Sequence, residues 1–452
     1  MGNLSDKFSR IFNTKTARVC TGVLVMVCLT VSLAGCSFLS VQTPEEAGRQ
    51  IEPIPQTERR DAGTSQASDL EVGDASFPDA YDGETDEEDY EVVSGDSSGD
   101  VEGLYGYTDE EIAAAGASNV GRFAYERLEQ SDKRVYNEIY MTLRDLKEEY
   151  ELDCKDVDEI NRIFLCVMMD HPEIFWVSGY VYTRYTRGEV LEAMGFRGAY
   201  SMDPATISSR QASIDAYENN CLAGMPDGDD YIRIRYVYEY IIRNTVYDTE
   251  SSDNQNICSV FINGRSVCQG YAKATQYLLS KVGIPCTLIT GTSTGAGNHA
   301  WNLVRADGSY YYLDTTWGDA NYRMEEGIES DYESISYDYL CVPGYEIFRT
   351  HTPDTPVELP NCTAIADNYY VREGAYFTSV DEAGLRGLFD RARAQGRESV
   401  SLKASDEAAY SAVRHHLLDE QRVFEYAGMR DAGTTLSYWE NRELLTISFN
   451  LN

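Results

Sequence analysis

Apolar residues recur along this chain in two periods, and the switch between them marks its organisation. From about Thr108 the spacing is helical. In SDKRVYNEIYMTLRDLKEEY, Val135, Ile139, Leu143 and Leu146 fall three or four apart behind Ser131 and Asp132, two good helix caps. Ile160, Ile163, Phe164, Val167 and Met168 predict a second helix that ends before Pro172. VYTRYTRGEV reads as a strand running into a turn, and RQASIDAYENN and DYIRIRYVYEYIIRNTVYD as further helices. Ala272 to Lys281 is rich in helix formers and stops at Gly283 with Pro285 beyond. The period then changes. CTLITG, from Cys286, reads as a buried strand, and NHAWNLVRADGSYYYLDTTWGD as two alternating runs joined by Asp307-Gly308, the strongest hairpin signal in the chain. After His351, TPDTPVELPNCTA is a linker, NYYVREGAYFTS suggests strands, DEAGLRGLFDRARAQG a helix ending at Gly396, ESVSLKA a strand, DEAAYSAVRHHLLDE a helix and LLTISFN a last strand. The expected fold class is α+β, with helices layered on an antiparallel sheet and a small carboxy-terminal α+β module over 352–452.

The first hundred residues follow neither period. Lys7, Arg10, Lys15 and Arg18 precede an apolar stretch from Val19 to Leu33 that ends in Leu33-Ala34-Gly35-Cys36. The stretch is shorter than the roughly 20 residues of a membrane span and reads as an export signal over 1–35. Its end resembles a bacterial lipobox, which implies cleavage before Cys36 and a lipid on that thiol. An uncleaved amino-terminal anchor is the alternative. Either leaves the rest of the chain extracytoplasmic and tethered to a membrane. Residues 36–104, typified by YDGETDEEDYEVVSGDSSGD, hold few large apolar side chains and cannot offset their ordering entropy, so a disordered acidic stalk is expected there.

Composition narrows the function. A formal net charge of −37 repels phosphate backbones and argues against a nucleic-acid partner. Cys154, Cys166, Cys221, Cys258, Cys268, Cys286, Cys341 and Cys362 remain once the signal and Cys36 are set aside. They show no CxxC spacing, so no zinc site is expected, and one free nucleophile among them would leave at most three disulfides. No phosphate-binding or calcium loop stands out, and no cofactor is implied.

Candidate chemistry gathers around GRSVCQGYAKA. Cys268 lies where the helix should begin, and unsatisfied N–H groups and the helix dipole there favour a thiolate and can receive an oxyanion. Gly264 and Gly270 would let a substrate backbone approach closely. A turn at Asp307-Gly308 pairs Ala306 with Ser309. Continued, that register sets Asp314 on the second strand opposite Trp301 and His299 opposite Thr316, all on one face, with His299 and Asp314 as diagonal neighbours roughly 7–8 Å apart. A carboxylate can then hold one imidazole nitrogen while the other meets a thiol, the nucleophile–base–orienter logic of cysteine acyl transfer.

VCQGYA, NHAWNLV and YYYLDTTW, in this order and spacing, resemble the transglutaminase-like superfamily of papain-like folds. The resemblance implies a core over 105–351 with the nucleophile helix packed on an antiparallel sheet, Cys268 as nucleophile, His299 as general base and acid, and Asp314 as orienter. It also offers Gln255, thirteen residues before Cys268, for the oxyanion hole. The segment YDYLCVPGYEIFRTH resembles the stretch after the triad in related bacterial lipoproteins, without an evident chemical role. Trp301 and Trp317 read as core aromatics or as walls of an acyl-donor channel. The implied activity is acyl transfer from peptide or protein amides, as a peptidase or amidase, or as a transglutaminase. The implied partner is a peptide or protein substrate, cell-wall material included. A non-catalytic surface module that binds peptide or cell-wall material is the alternative, and it would be marked by a broken triad.

Overall fold

In the computed structural model, the helical periods become the helices Gln130–Arg144 and Val157–Asp170. Their buried stripes are Val135, Ile139 and Leu143 on one, and Ile160, Ile163, Phe164 and Val167 on the other. Asp156 caps the second helix, its side chain accepting from Asp158 and Glu159 N–H. The first starts one residue ahead of Ser131, after Glu129, with no side-chain cap. The structure describes residues 49–51, 91–97, 104–187, 189–319, 335–429 and 435–451. All of these fall in one unit, Gly48–Asn452. The signal segment and Cys36 lie outside the described residues.

Two helices follow, Pro204–Ala223 and Asp230–Asn244. Next comes the helix Cys268–Lys281. It lies against a five-stranded antiparallel sheet in the order Leu340–Val342, Ser309–Leu313, Gly297–Ala306, Cys286–Ser293, His351–Pro353. Alternation sorts this sheet into two faces. Val304, Ala306, Tyr311 and Leu313 join a cluster with Tyr271, Ala274 and Leu278 of the helix. Trp301, Leu303 and Tyr312 join another with Ile160, Phe164 and Val167. Asn302, fully buried, ties helix to sheet by donating Nδ2–H to the Ala272 carbonyl at 3.0 Å.

A second sheet covers the amino-terminal helices. In it Val177–Arg187 turns back as Val190–Tyr200, a strand with no clean alternation in sequence. A third, five-stranded sheet holds Leu436–Asn441, Thr446–Asn450, Ser399–Ala404 and Tyr376–Phe377. Here NYYVREGAYFTS departs from the strand expectation. Asn368 accepts from Tyr370 N–H and caps a short helix, Tyr369–Arg372, before the strand. The boundary expected after residue 351 is not a gap in packing. Leu385, Phe389, Leu402 and Phe449 share one hydrophobic cluster with Tyr231, Ile234 and Leu278.

Two pieces of the expected acidic stalk are ordered strands. Arg49–Ile51 pairs with Leu436–Asn441, and Glu91–Ser97 runs parallel to Val177–Arg187. An edge strand's free N–H and C=O groups hold an added strand without requiring a core of its own. The eight cysteines beyond Cys36 are all free thiols.

Candidate active site

The site is built from the start of the helix Cys268–Lys281. A five-residue π-turn, Ser259–Asn263, ends at Gly264 with φ of 63°, and the chain runs extended through Val267 into Cys268. Val267 provides no side-chain cap, so the first-turn N–H groups are left to other acceptors. Gly270 is required by the protein's own packing: a Cβ there would lie 1.9 Å from Ser266 Oγ and 2.6 Å from Ser259 Oγ. Those hydroxyls share a buried 2.6 Å hydrogen bond that ties the turn to the extended segment leading into the helix.

The hairpin register is the one read from Asp307-Gly308, running from Ser309–Ala306 to Leu313–Asn302. It ends one residue short of Asp314. Neither Asp314–Trp301 nor His299–Thr316 forms a pair, because Asp314 leaves the strand to cap the four-residue helix Thr315–Gly318. Its Oδ1 accepts from Thr316 N–H at 2.9 Å and Trp317 N–H at 3.0 Å. This frees Oδ2, which lies 2.8 Å from His299 Nε2. The Cys268 sulfur is close enough to the His299 ring to favour its proton. The expected sharing of a face thus holds, with a helix cap in place of a strand pair orienting the carboxylate.

Electrostatics follow from enclosure. Asp314 is fully buried and His299 is 6 % exposed. Burial opposes charge on the imidazole, but the Asp314 carboxylate and the Cys268 sulfur outweigh it and raise the His299 pKa to about 10. Burial likewise opposes charge on Asp314. The His299 charge and the hydrogen bonds from His299 and His351 reverse that and hold the carboxyl well below its usual range.

Both tryptophans read as channel candidates are enclosed. Trp301 has no exposed surface and Trp317 is 8 % exposed, each within the cluster of the amino-terminal helices. They pack about the imidazoles, with Trp301 6.0 Å and Trp317 5.7 Å from the His299 ring. An open wall is therefore corrected to a buried clamp. Gln255 lies in the loop before the π-turn. Its carbonyl accepts from Lys273 Nζ at 2.9 Å, and it borders a cavity of about 220 Å³ shared with Gln269, Lys273, Met168 and Phe175. His171 is structural, with Nδ1 on Glu173 at 2.8 Å and its ring stacked on Tyr140.

The residue missed by sequence reasoning is His351. Its Nε2 lies 3.1 Å from the same Asp314 Oδ2. The tail YDYLCVPGYEIFRTH carried the only sequence signal, and nothing in it pointed to Asp314. His299, Asp314 and His351 bring donor atoms within 4.8 Å of one another and could in principle hold a metal ion. Hydrogen bonds among the three account for the same convergence.

Comparison with known proteins places these residues in context. Residues 222–315, which include Cys268, His299 and Asp314, match the family model of the transglutaminase-like superfamily. The mouse kyphoscoliosis peptidase is 26% identical over 105 residues, covering 20% of this chain and 16% of that protein. The human kyphoscoliosis peptidase is 27% identical over 142 residues, covering 28% of this chain and 21% of that protein. The chain thus spans about a fifth of the length of these relatives. A solved TGase structure aligns over 35% of this chain and 55% of its own at 10% identity, with a TM-score of 0.24. Residues 222–315, the minority of the chain that matches, thus carry a transglutaminase-like domain.

Proposed function

We propose that this protein transfers acyl groups from peptide or protein amides through a thioester on Cys268. The observation that supports this most directly is the buried His299 ring, 2.8 Å from the Asp314 carboxylate, with the Cys268 sulfur near enough to favour the imidazolium. In the proposed sequence the Cys268 thiolate attacks the amide carbon, and the tetrahedral oxyanion is received by first-turn N–H groups, with Gln255 a candidate further donor. The C–N bond breaks as the His299 imidazolium gives its proton to the departing nitrogen, so ammonia or an amine leaves and a thioester remains. Water or a primary amine then attacks the thioester, His299 takes its proton, and the thiolate is restored. Water makes the enzyme a peptidase or amidase and an amine makes it a transglutaminase. We favour water, in keeping with an extracytoplasmic protein held by lipid at Cys36 and acting on peptide at the cell surface.

Incubation with a glutamine-containing peptide, with and without a primary amine, separates these outcomes. Ammonia release with a mass gain of the amine marks transfer. Ammonia release with conversion to glutamate, or cleavage of the backbone, marks hydrolysis. No turnover of a peptide library by wild type, with Cys268→Ala indistinguishable from it, would leave the binding-module alternative standing.

A further inference from the structure

We propose that His351 is a positioning residue for this reaction, holding the Asp314 carboxylate by a donated Nε2–H in the orientation that serves His299. The inference rests on the proposed acyl transfer and concerns the part of the site that this chemistry leaves unused.

Four hydrogen bonds fix Asp314. Oδ1 takes two backbone N–H groups at 2.9 and 3.0 Å, and Oδ2 takes His299 at 2.8 Å and His351 at 3.1 Å. Two imidazoles can share one carboxylate oxygen only if each points a protonated Nε2 at it. On the far side of His351, Thr350 Oγ1 lies 2.8 Å from Nδ1. The Thr350 hydroxyl has a second acceptor within reach, the Ile347 carbonyl at 3.3 Å, but Nδ1 is nearer. Donation to Nδ1 leaves the single ring proton of a neutral His351 on Nε2, the tautomer Asp314 needs.

The ring is enclosed, and beside Asp314 and Thr350 the Ile347 backbone is the other polar group that acts on it. It is 1 % exposed and lies 4.9 Å from Trp301, 4.7 Å from Trp317 and 5.5 Å from Tyr339. The titratable groups against it are Asp314, His299 and Tyr339. Burial disfavours a proton on His351 and the neighbouring His299 charge adds to this, so its pKa falls below the ordinary value despite Asp314. A neutral donor steadies Asp314 without competing with His299 for its charge.

The fold also makes room for this residue. His351 begins the edge strand His351–Pro353, paired with Gly291–Ser293. A side chain at Gly291 would put its Cβ 2.1 Å from the Thr352 carbonyl, so glycine is what lets the strand lie close enough.

The test uses the native protein and iodoacetamide, so no substrate need be known. Alkylation of Cys268 is followed by mass mapping across pH, beside the melting temperature. His351→Phe keeps a ring without a donor and should slow alkylation roughly 10- to 100-fold, as misplaced reacting groups do, and displace its pH midpoint. His351→Gln restores an N–H donor and should recover most of the rate. Thr350→Val releases the tautomer and should shift the midpoint in the same direction as His351→Phe, to a smaller extent. A folded His351→Phe with wild-type rate and midpoint overturns the proposal. If that variant does not fold, a wild-type midpoint in Thr350→Val overturns it instead. Failure of the underlying acyl-transfer chemistry looks different: wild-type Cys268 would alkylate no faster than Cys154, and His299→Ala would change nothing.

Discussion

The described residues form two five-stranded sheets, and they are filled on different principles. The sheet of the carboxy-terminal module is apolar inside. Val400, Leu402, Leu436, Ile447 and Phe449 pack on Leu385, Phe389 and Leu417, and Lys403 and Thr446 are its buried polar strand residues. The sheet of the site buries Thr287, His299, Asn302 and His351 on its strands and Asp314 at the end of one. Each buried polar group left unmatched costs about 1–3 kcal/mol, so a sheet that only has to hold together does better with apolar side chains. The second arrangement persists where groups such as Asp314, His299 and His351 satisfy one another and can do chemistry. A dense, mutually bonded polar cluster inside an otherwise apolar sheet is therefore a stronger mark of function than any one of its residues.

The comparison is most exposed to Asp314→Asn. The amide still caps Thr315–Gly318, so the fold should persist, but it can hold His299 in the wrong tautomer. Turnover of a glutamine peptide should fall roughly 10³- to 10⁴-fold with little change in melting temperature. Undiminished turnover would reduce the polar cluster to a structural device.

Next in size is a pH effect. The His299 pKa rises from an ordinary 6.5 to about 10 in the folded protein. The stability this adds is complete below pH 6.5 and is lost as pH climbs through about 10. Asp314 has a lowered pKa, so its contribution is complete above its ordinary 3.8 and is lost on acidification through the lower folded value. The pair should stabilise the fold most in mildly acid solution and weaken on the alkaline side. Urea unfolding of wild type and His299→Gln from pH 5 to 10 should show a gap that narrows with rising pH, and a constant gap would break the pairing argument.

The apolar sheet offers the converse. Lys403 Nζ sits 3.0 Å from Glu346 Oε2, both nearly enclosed, and also bonds to the Leu444 carbonyl. Lys403→Met strands Glu346 and should cost about 3 kcal/mol in urea unfolding while leaving turnover per folded molecule unchanged. A loss of turnover at unchanged stability would give this sheet a part in the reaction. Smallest is Thr446→Val, which removes a 3.1 Å hydrogen bond to Asp338 and should cost about 1 kcal/mol with no change in activity.

Legibility from sequence varies with the range of the interaction. The helices Gln130–Arg144 and Val157–Asp170 announce themselves because burial of one stripe forces a 3.6-residue period. The hairpin register is readable because a two-residue turn leaves little choice of pairing. Val190–Tyr200 and Leu436–Asn441 are not readable, since each owes its strand state to a partner whose address is not in its own pattern. The short helix Tyr369–Arg372 hides behind β-prone tyrosines that a single Asn368 cap overrides.

What the sequence determined by itself was local: a cysteine at a helix start, a histidine and an aspartate one hairpin apart, and the motif spacing by which residues 222–315 match the transglutaminase-like family model. Tertiary structure decided what sequence spacing cannot encode. It turned Asp314 out of its strand into a cap, enclosed both tryptophans, and brought His351 from 37 residues downstream onto the same carboxylate oxygen. The reason is physical: periodicity reports which side of an element is buried, whereas the meeting of two histidines from separate strands with a helix-capping aspartate depends on how the sheet is assembled, and that assembly is selected by the whole core at once.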